Sequence, residues 1–170
     1  AFEAQIISAE NGDPGPEDGI ILGNDGAVYK AGWDALVASG ARIINNSWGI
    51  GIGDQYAKGG RDPAFPNFTV NEAQAQFNNI RPILGTIAGG AYQGAIDAAR
   101  SGVLTIFAAG NDYNRNNPDA ISGLAYFVPE IAPNWLSVAA LQQNPYTASA
   151  DPYVISTFSS RCGYAASFCV

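Results

Sequence analysis

Short apolar runs are the most regular feature of the chain. A continuous apolar run of roughly four to eight residues is typical of a strand buried in a parallel sheet. A run near the end of the chain is less apolar, which indicates a last and more exposed strand. The predicted strands are 4–9 (AQIISA), 41–45 (ARIIN), 103–109 (VLTIFAA), 136–141 (LSVAAL) and 153–158 (YVISTF).

Helical spacing of apolar residues predicts a helix between the first two strands. Asn24 or Asp25 can cap its beginning, because their side chains accept hydrogen bonds from free backbone N–H groups. Ser39-Gly40 is a typical helix end, since glycine adopts the left-handed conformation there. The apolar positions at helical spacing are Val28, Ala31, Ala35 and Leu36.

Two further helices are predicted in the middle of the chain. Thr69 and Glu72 fit a capping box, which indicates a short helix after Thr69. A longer helix is predicted over 91–101, and Gly102 stops it. Most of the stretch at about 50–90 is irregular and rich in Gly, Pro and Asn. We expect this stretch to be an insertion or a functional loop.

The order of the elements predicts the α/β class. Strand, helix and strand with short joints form a right-handed βαβ unit, whose strands are parallel. We therefore expect one domain over residues 1–170, with an open, mainly parallel sheet and flanking helices. Ligands bind at the carboxyl ends of the strands in such sheets. The segments at 45–49 and 108–112 follow two of these ends and are the candidate site.

Composition narrows the classes of function. Hydrophobic residues make up 47% of the chain and charged residues 14%, as in folded proteins. The net charge of -7 should repel nucleic acid and anionic membrane surfaces, so no nucleic-acid partner is expected. The chain contains no His. Catalysis by Ser-His-Asp or Cys-His groups therefore cannot be assembled from this chain alone.

Cys162 and Cys169 are the two cysteines of the chain. A disulfide between them would close a loop of about eight residues and indicate an oxidising compartment. Two free thiols in a reducing compartment are the alternative. The spacing is not that of the usual zinc or redox motifs, which favours the disulfide.

Asn111 is the most informative polar residue at the predicted strand ends. It follows Ala108-Ala109-Gly110, where glycine lets the backbone turn and be approached closely. A side-chain amide held there is a suitable donor to an oxyanion. Gly-Asn-Asp is also ordinary turn chemistry, and the residues alone leave both interpretations open.

Two weaker patterns carry no prediction of a cofactor or metal. Carboxylates at 10–25 lie in one Gly/Pro-rich loop and could hold Ca²⁺, but their spacing matches no EF-hand, and a solvated loop explains them. Gly49-Ile-Gly-Ile-Gly53 lacks the spacing of a dinucleotide-binding turn and is not followed at once by a helix.

The order of the motifs resembles a known family. One strand runs into Asn46-Ser47-Trp48-Gly49 and a later one into Ala108-Ala109-Gly110-Asn111, and APNWLSVAA (132–140) and ISTFSS (155–160) follow. This order is similar to the middle of the catalytic domain of subtilisin-like serine proteases, the subtilases of family S8. The segments TVNEAQAQFNNI (69–80) and RCGYAASFC (161–169) resemble the subtilases of bacterial autotransporters.

The resemblance implies a role for each residue of the candidate site. Ser47, Trp48 and Gly49 would form the strand that pairs with the substrate backbone and one wall of the S1 pocket. Ala108, Ala109 and Gly110 would form the opposite wall, with space for an apolar P1 side chain. Asn111 would donate to the oxyanion. Trp48 stands where the best-known members have Leu, and it could pack internally or contact substrate.

The resemblance also implies which catalytic segments lie outside the chain and which partners the chain binds. The segments that bear the catalytic Asp and His would lie upstream, and the nucleophilic Ser downstream, so the chain alone should be an inert fragment. Its partners would be an extended peptide or protein substrate and, in cis, the rest of the protease domain and an autotransporter barrel. The protein would be secreted or at the bacterial cell surface. A stand-alone, triad-less peptide-binding module is the alternative.

A further expectation concerns the strand at 4–9. Its neighbour in the family would lie outside the chain, and a bare strand edge tends to pair with another chain. We therefore expect self-association of the isolated chain through this strand.

Overall fold

The computed structural model describes Ile6 and residues 26–49, 68–112, 115–145 and 151–170. The predicted acidic loop and, apart from Ile6, the predicted strand at 4–9 lie outside the described residues. The self-association predicted through that strand lies outside them too. Most of the predicted insertion also falls there, except for its last part from residue 68 onward.

Within the described ranges, three parallel strands form a sheet in the order β1-β2-β3. They are β1 (Ile43–Asn46), β2 (Leu104–Ala108) and β3 (Trp135–Val138). Burial alternates along β2, with Thr105 and Phe107 fully buried and their neighbours half-buried. The predicted α/β class with a parallel sheet and flanking helices is confirmed.

The first helix, α1 (Gly26–Ala38), forms as predicted, and Gly40, at φ 86°, ends it. Of the four apolar positions at helical spacing, Val28, Ala31 and Ala35 are exposed and Leu36 packs against the core. Trp33 is buried, and Val37 also packs against the core. The side of α1 that faces the core is therefore the one that carries Trp33, Leu36 and Val37.

The capping box at Thr69 forms as predicted. Thr69 Oγ1 accepts from the backbone N–H of Glu72 at 3.3 Å, and the Thr69 N–H donates to Glu72 Oε2 at 2.6 Å. The helix it begins, α2, covers Val70–Ile80. Short 3-10 turns at Arg81–Ile83 and Ile87–Gly89 lead to α3, Gly90–Arg100. Gly102, at φ 92°, ends that segment before β2 as predicted.

Helix α3 packs against α1 at unusually short range. Gly90 and Gly94 lie one helical turn apart, so they share a face. A Cβ on Gly90 would lie 1.7 Å from the Gly26 carbonyl oxygen, and one on Gly94 would lie 2.6 Å from the Trp33 ring. The two helices can therefore approach this closely only because both positions lack a side chain.

The strand predicted at 136–141 divides into two strands of different sheets. β3 ends at Val138, and β4 (Leu141–Gln143) pairs antiparallel with β5 (Tyr153–Ile155). Between them, Ala139 N–H donates to the Val170 carbonyl at 2.7 Å, and Ala140 N–H donates to Ser159 Oγ at 2.9 Å. These hydrogen bonds replace the ladder and allow the chain to leave the sheet. The last strand is correspondingly shorter than the predicted 153–158.

Two elements between β2 and β3 were not predicted from the sequence. They are the short helix α4 (Leu124–Phe127) and the 3-10 segment Pro129–Asn134 that follows it. A four-residue helix covers about one turn, which is too short to show a helical period. Both contribute to the core, in which Leu124 of the helix, Ile131 of the 3-10 segment and Ile121 are fully buried.

The C-terminal segment lies beside β3 and contains the disulfide between Cys162 and Cys169. The 3-10 segment Gly163–Phe168 occupies the loop between the two cysteines. Val170 N–H donates to the Ser137 carbonyl at 3.0 Å, so the chain after the disulfide runs along the edge of β3. The disulfide thus closes a short loop directly onto the sheet.

Replacing both Cys162 and Cys169 with Ser should lower the free energy of unfolding of the full-length protein by about 2.5 kcal/mol, because an eight-residue loop is released in the unfolded chain. Urea denaturation measures the change. Ser167→Ala, at an exposed position of the same loop, is the control and should change stability by less than about 0.5 kcal/mol. Equal stability of the double variant and the wild type would contradict this role of the disulfide.

Candidate functional site

The two predicted site segments leave the sheet side by side. Asn46, the last residue of β1, is in register with Phe107 of β2. Since β1 and β2 are adjacent and parallel, residues 47–49 and 109–111 emerge at the same edge of the sheet. The structure therefore brings together the two segments that sequence reasoning singled out.

Asn46 determines how the chain leaves β1. Its side chain is buried, and its Nδ2 donates to the Ile106 carbonyl of β2 at 3.1 Å. Its Oδ1 accepts from the indole Nε1 of Trp48 at 3.1 Å. One amide thus connects the strand end to both the neighbouring strand and the following tryptophan. Sequence reasoning did not single out Asn46 for this role.

The ring of Trp48 packs against an aromatic side chain of the core. Its ring meets Phe107 edge to face with centroids 5.1 Å apart, and Phe107 in turn stacks on Trp135 at 5.0 Å. Trp48 is half-buried, so part of the ring remains at the surface. The internal packing is observed, and contact with a substrate stays a prediction.

The end of β2 presents an amide at the surface. Ala109 is buried, and its N–H donates to the Val138 carbonyl at 2.8 Å. Gly110 has φ 111°, a conformation that favours glycine. Asn111 follows and is exposed, and within the described part of the chain no hydrogen bond engages its side chain. The amide is therefore accessible to an incoming group.

Ser160 and Asp112 hold the turn around Gly110. The Ser160 N–H donates to the Gly110 carbonyl at 2.9 Å, and Ser160 Oγ donates to Asp112 Oδ2 at 3.2 Å. A Cβ on Gly110 would lie 2.7 Å from that same carboxylate oxygen. Burial raises the pKa of Asp112, while the Ser160 hydrogen bond and the Arg115 charge oppose the rise. Ser160 of the C-terminal segment thus holds in place the turn that carries Asn111.

Asp119 is a site residue that sequence reasoning missed. It is 2% exposed, and its Oδ1 accepts from the backbone N–H groups of Ile121 at 3.1 Å and Ser122 at 2.8 Å. Its Oδ2 faces Gly49, where a Cβ would lie only 2.4 Å away. The only local signal was turn chemistry at Pro118-Asp119, which gives no hint of a contact with residue 49.

Tyr164 supports the Asp119 turn from the disulfide loop. Its hydroxyl donates to the carbonyls of Pro118 at 3.1 Å and Asp119 at 2.8 Å. The Tyr164 N–H donates to Asn117 Oδ1 at 2.8 Å. Burial raises the pKa of Tyr164 far above its ordinary value, so the hydroxyl stays a donor at all relevant pH values.

The described residues show neither a metal-binding cluster of side chains nor a membrane-spanning helix. No group of three or more His, Cys, Asp or Glu side chains is placed there to hold a metal ion. None of the helices in the described ranges is long and apolar enough to cross a membrane. The carboxylate-rich loop at 10–25 and the glycines after Gly49 lie outside the described residues.

Comparison with known proteins agrees with the fold and with the order of the motifs. The sequence profile of the subtilase family matches residues 1–170. The chain belongs to the subtilase family. Two extracellular serine proteases of Serratia marcescens are similar to it, one 32% identical over 187 aligned positions and one 29% identical over 184. The alignments cover 100% and 99% of this chain but 16% of each relative.

The chain therefore corresponds to a part of a much longer subtilase in these relatives. The subtilase family predicted from the sequence is confirmed. The closer likeness to autotransporter subtilases stays a prediction.

Proposed function

We propose that the chain is part of a secreted serine endopeptidase, in which it supplies one side of the substrate cleft and an oxyanion donor. The reaction is peptide-bond hydrolysis through an acyl-enzyme. The observation that carries the proposal is the subtilase match over the whole chain, combined with the adjacent exits of β1 and β2. Ligands of parallel α/β sheets bind at such an edge.

Residues 47–49 serve as the strand that pairs with the substrate backbone. Ser47 and Gly49 are exposed, so their backbone groups are accessible to an extended peptide. Asn46 and Trp48 hold the segment by the hydrogen bond between their side chains. Addition of a peptide strand to a fixed segment of this kind gives affinity through main-chain hydrogen bonds.

Ala108, Ala109 and Gly110 form the facing wall of the S1 pocket, and Asn111 donates to the oxyanion. Small side chains on this wall leave volume for a P1 side chain, which favours an apolar residue there. Asn111 is exposed on a turn closed by Ser160, so the backbone that carries its amide is held in place. An amide donor placed at the developing oxyanion stabilises its negative charge.

The triad comes from segments outside this chain. The chain contains no His, and it has no Gly-Thr-Ser segment of the kind that carries the subtilase nucleophile. Ser167 lies in the disulfide loop without that context and is not the nucleophile. A Ser attacks the scissile carbonyl and a His moves the proton, while Asn111 stabilises the tetrahedral intermediate. The isolated chain is therefore inert.

Secretion follows from two observations. The two similar proteins of Serratia marcescens are extracellular serine proteases. The disulfide between Cys162 and Cys169 is stable in an oxidising compartment. We extend the proposal to display at the bacterial surface by an autotransporter barrel in cis, on the motif resemblance at 69–80 and 161–169.

Hydrolysis assays of the full-length protein and of the isolated chain test the proposal. The full-length protein should cleave a peptide ester and a peptide amide, and an organophosphonate that modifies serine proteases should abolish both activities. The isolated chain should cleave neither. Activity of the isolated chain, or full activity after the organophosphonate, would refute the assignment.

The triad-less peptide-binding module is favoured by a single observation, the absence of His. The intact mass of the protein as its native host makes it separates the two functions. A mass far above 17.7 kDa supports the protease, because the polypeptide is then long enough to include the triad segments. A mass near 17.7 kDa together with peptide binding in calorimetry supports the binding module.

A further inference from the structure

We propose that Asp119 is a positioning residue, whose buried carboxylate determines where the substrate strand 47–49 lies. This inference rests on the proposed role of that strand in pairing with substrate. In this role Asp119 acts through Gly49 and not on the reacting atoms.

The orientation of the carboxylate is fixed by the backbone. Asp119 Oδ1 accepts from the N–H groups of both Ile121 and Ser122. Because these two hydrogen bonds hold one oxygen, the plane of the carboxyl group cannot rotate freely. The other oxygen, Oδ2, is thereby aimed at Gly49. The side chain is 2% exposed, so solvent does not compete for this arrangement.

The glycine at position 49 is required by space and not by its backbone angles. Gly49 is not among the described glycines with positive φ. An added Cβ would lie 2.4 Å from Asp119 Oδ2, which is far inside contact distance. The requirement for glycine is therefore imposed by Asp119, and the two residues form a complementary pair.

Asp119 cannot move away from residue 49. The Asp119 carbonyl accepts from the Tyr164 hydroxyl at 2.8 Å and from the Gly123 N–H at 2.9 Å. The next residue, Ala120, donates its N–H to Gln76 Oε1 of α2 at 3.0 Å. Since the turn is held from the disulfide loop and from α2, a side chain at position 49 would displace the strand and not the carboxylate.

Displacement of the strand should weaken binding of extended peptides more than binding of a single-residue ester. An extended peptide pairs with the backbone of 47–49 across several subsites, whereas the ester meets these residues only as one wall of the S1 pocket. The expected signature is a raised KM for the peptide with kcat little changed. General damage to the fold would instead lower kcat and activity toward both substrates.

The test measures kinetics of three variants of the full-length protein, with a tetrapeptide anilide and a single-residue ester. Gly49→Ala should raise KM for the tetrapeptide about tenfold and KM for the ester only about threefold, because the ester meets this segment only as one wall of the S1 pocket. Asp119→Ser removes the facing oxygen and should raise the tetrapeptide KM about threefold. The double variant Gly49→Ala/Asp119→Ser should recover to about the Asp119→Ser value, because the clash is removed.

A double variant no better than Gly49→Ala would overturn the inference, because the two positions would then be independent. Secreted yield and circular dichroism check folding. If Asp119→Ser does not fold, Asp119→Asn replaces it: because this variant keeps the shape, Gly49→Ala/Asp119→Asn should have a tetrapeptide KM no lower than that of Gly49→Ala. Recovery of KM in that double variant would overturn the inference, because removal of the charge alone would then relieve the effect.

Failure of the proposed function looks different from failure of this inference. The wild-type protein should show a lower KM for the tetrapeptide than for a dipeptide anilide with the same P1 residue. A wild-type KM that does not depend on peptide length would remove the pairing role of residues 47–49 itself. If KM depends on peptide length but the effects of the Gly49 and Asp119 substitutions are independent, only the role of Asp119 is refuted.

Discussion

Asn111→Ala should lower kcat of the full-length protease by about 10²–10³-fold and leave KM nearly unchanged. The magnitude is that known for loss of the oxyanion-hole asparagine in another subtilase, subtilisin, and is not calculated from this structure. The structural reason is that the amide is exposed on a turn held by Ser160 and has no protein partner to lose among the described residues. Its removal therefore affects the transition state and not the fold.

Asn111→Asp is a stricter test than Asn111→Ala, because the side chain keeps its size and loses only its N–H donors. A carboxylate beside the developing oxyanion should lower kcat at least as far as alanine does. Asn79→Ala, at an exposed position of α2, is the matched control and should keep wild-type kinetics. If kcat of Asn111→Ala stayed within about threefold of wild type, Asn111 would not be the oxyanion donor.

Gly90→Ala should lower the free energy of unfolding by at least about 3 kcal/mol, at the upper end of the usual cost of overpacking. The added Cβ would lie 1.7 Å from the Gly26 carbonyl oxygen. A backbone atom cannot swing aside as a side chain can, so α1 and α3 would have to separate. Separation would also weaken the contact between Trp33 and Gly94. Urea denaturation of the full-length protein measures the loss.

Gly32→Ala is the control, since it makes the same chemical change in α1. No atom lies within 4 Å of a Cβ built at Gly32. Alanine is the better helix former by about 1 kcal/mol, so this variant should be slightly more stable than wild type. Equal effects of the two substitutions would contradict the close packing of α1 and α3.

Several elements were predictable because their signals are local. The capping box at Thr69 depends on two side chains three residues apart, and the structure contains it. The apolar run at 103–109 became β2, since a continuous apolar stretch needs cover on both faces of a sheet. The α/β class followed from the order of such elements.

Other features were not predictable because they depend on residues far apart in the chain. The close packing of α1 against α3 could not be predicted, since it depends on Gly90 and Gly94 of α3. The run at 136–141 was divided because Val170 and Ser159 supply hydrogen bonds that replace the ladder. Neither partner can be recognised from the run itself.

The candidate site was likewise predictable only in part. By itself the sequence determined the parallel α/β class, the subtilase resemblance and the two segments at 45–49 and 108–112, because strand ends and motif order are local properties. Only the tertiary structure decided that Asn46 ties the two strand ends together and that Asp119 faces Gly49. These contacts join residues some 60 to 70 positions apart, and only the packed fold brings such residues within hydrogen-bonding and contact distance.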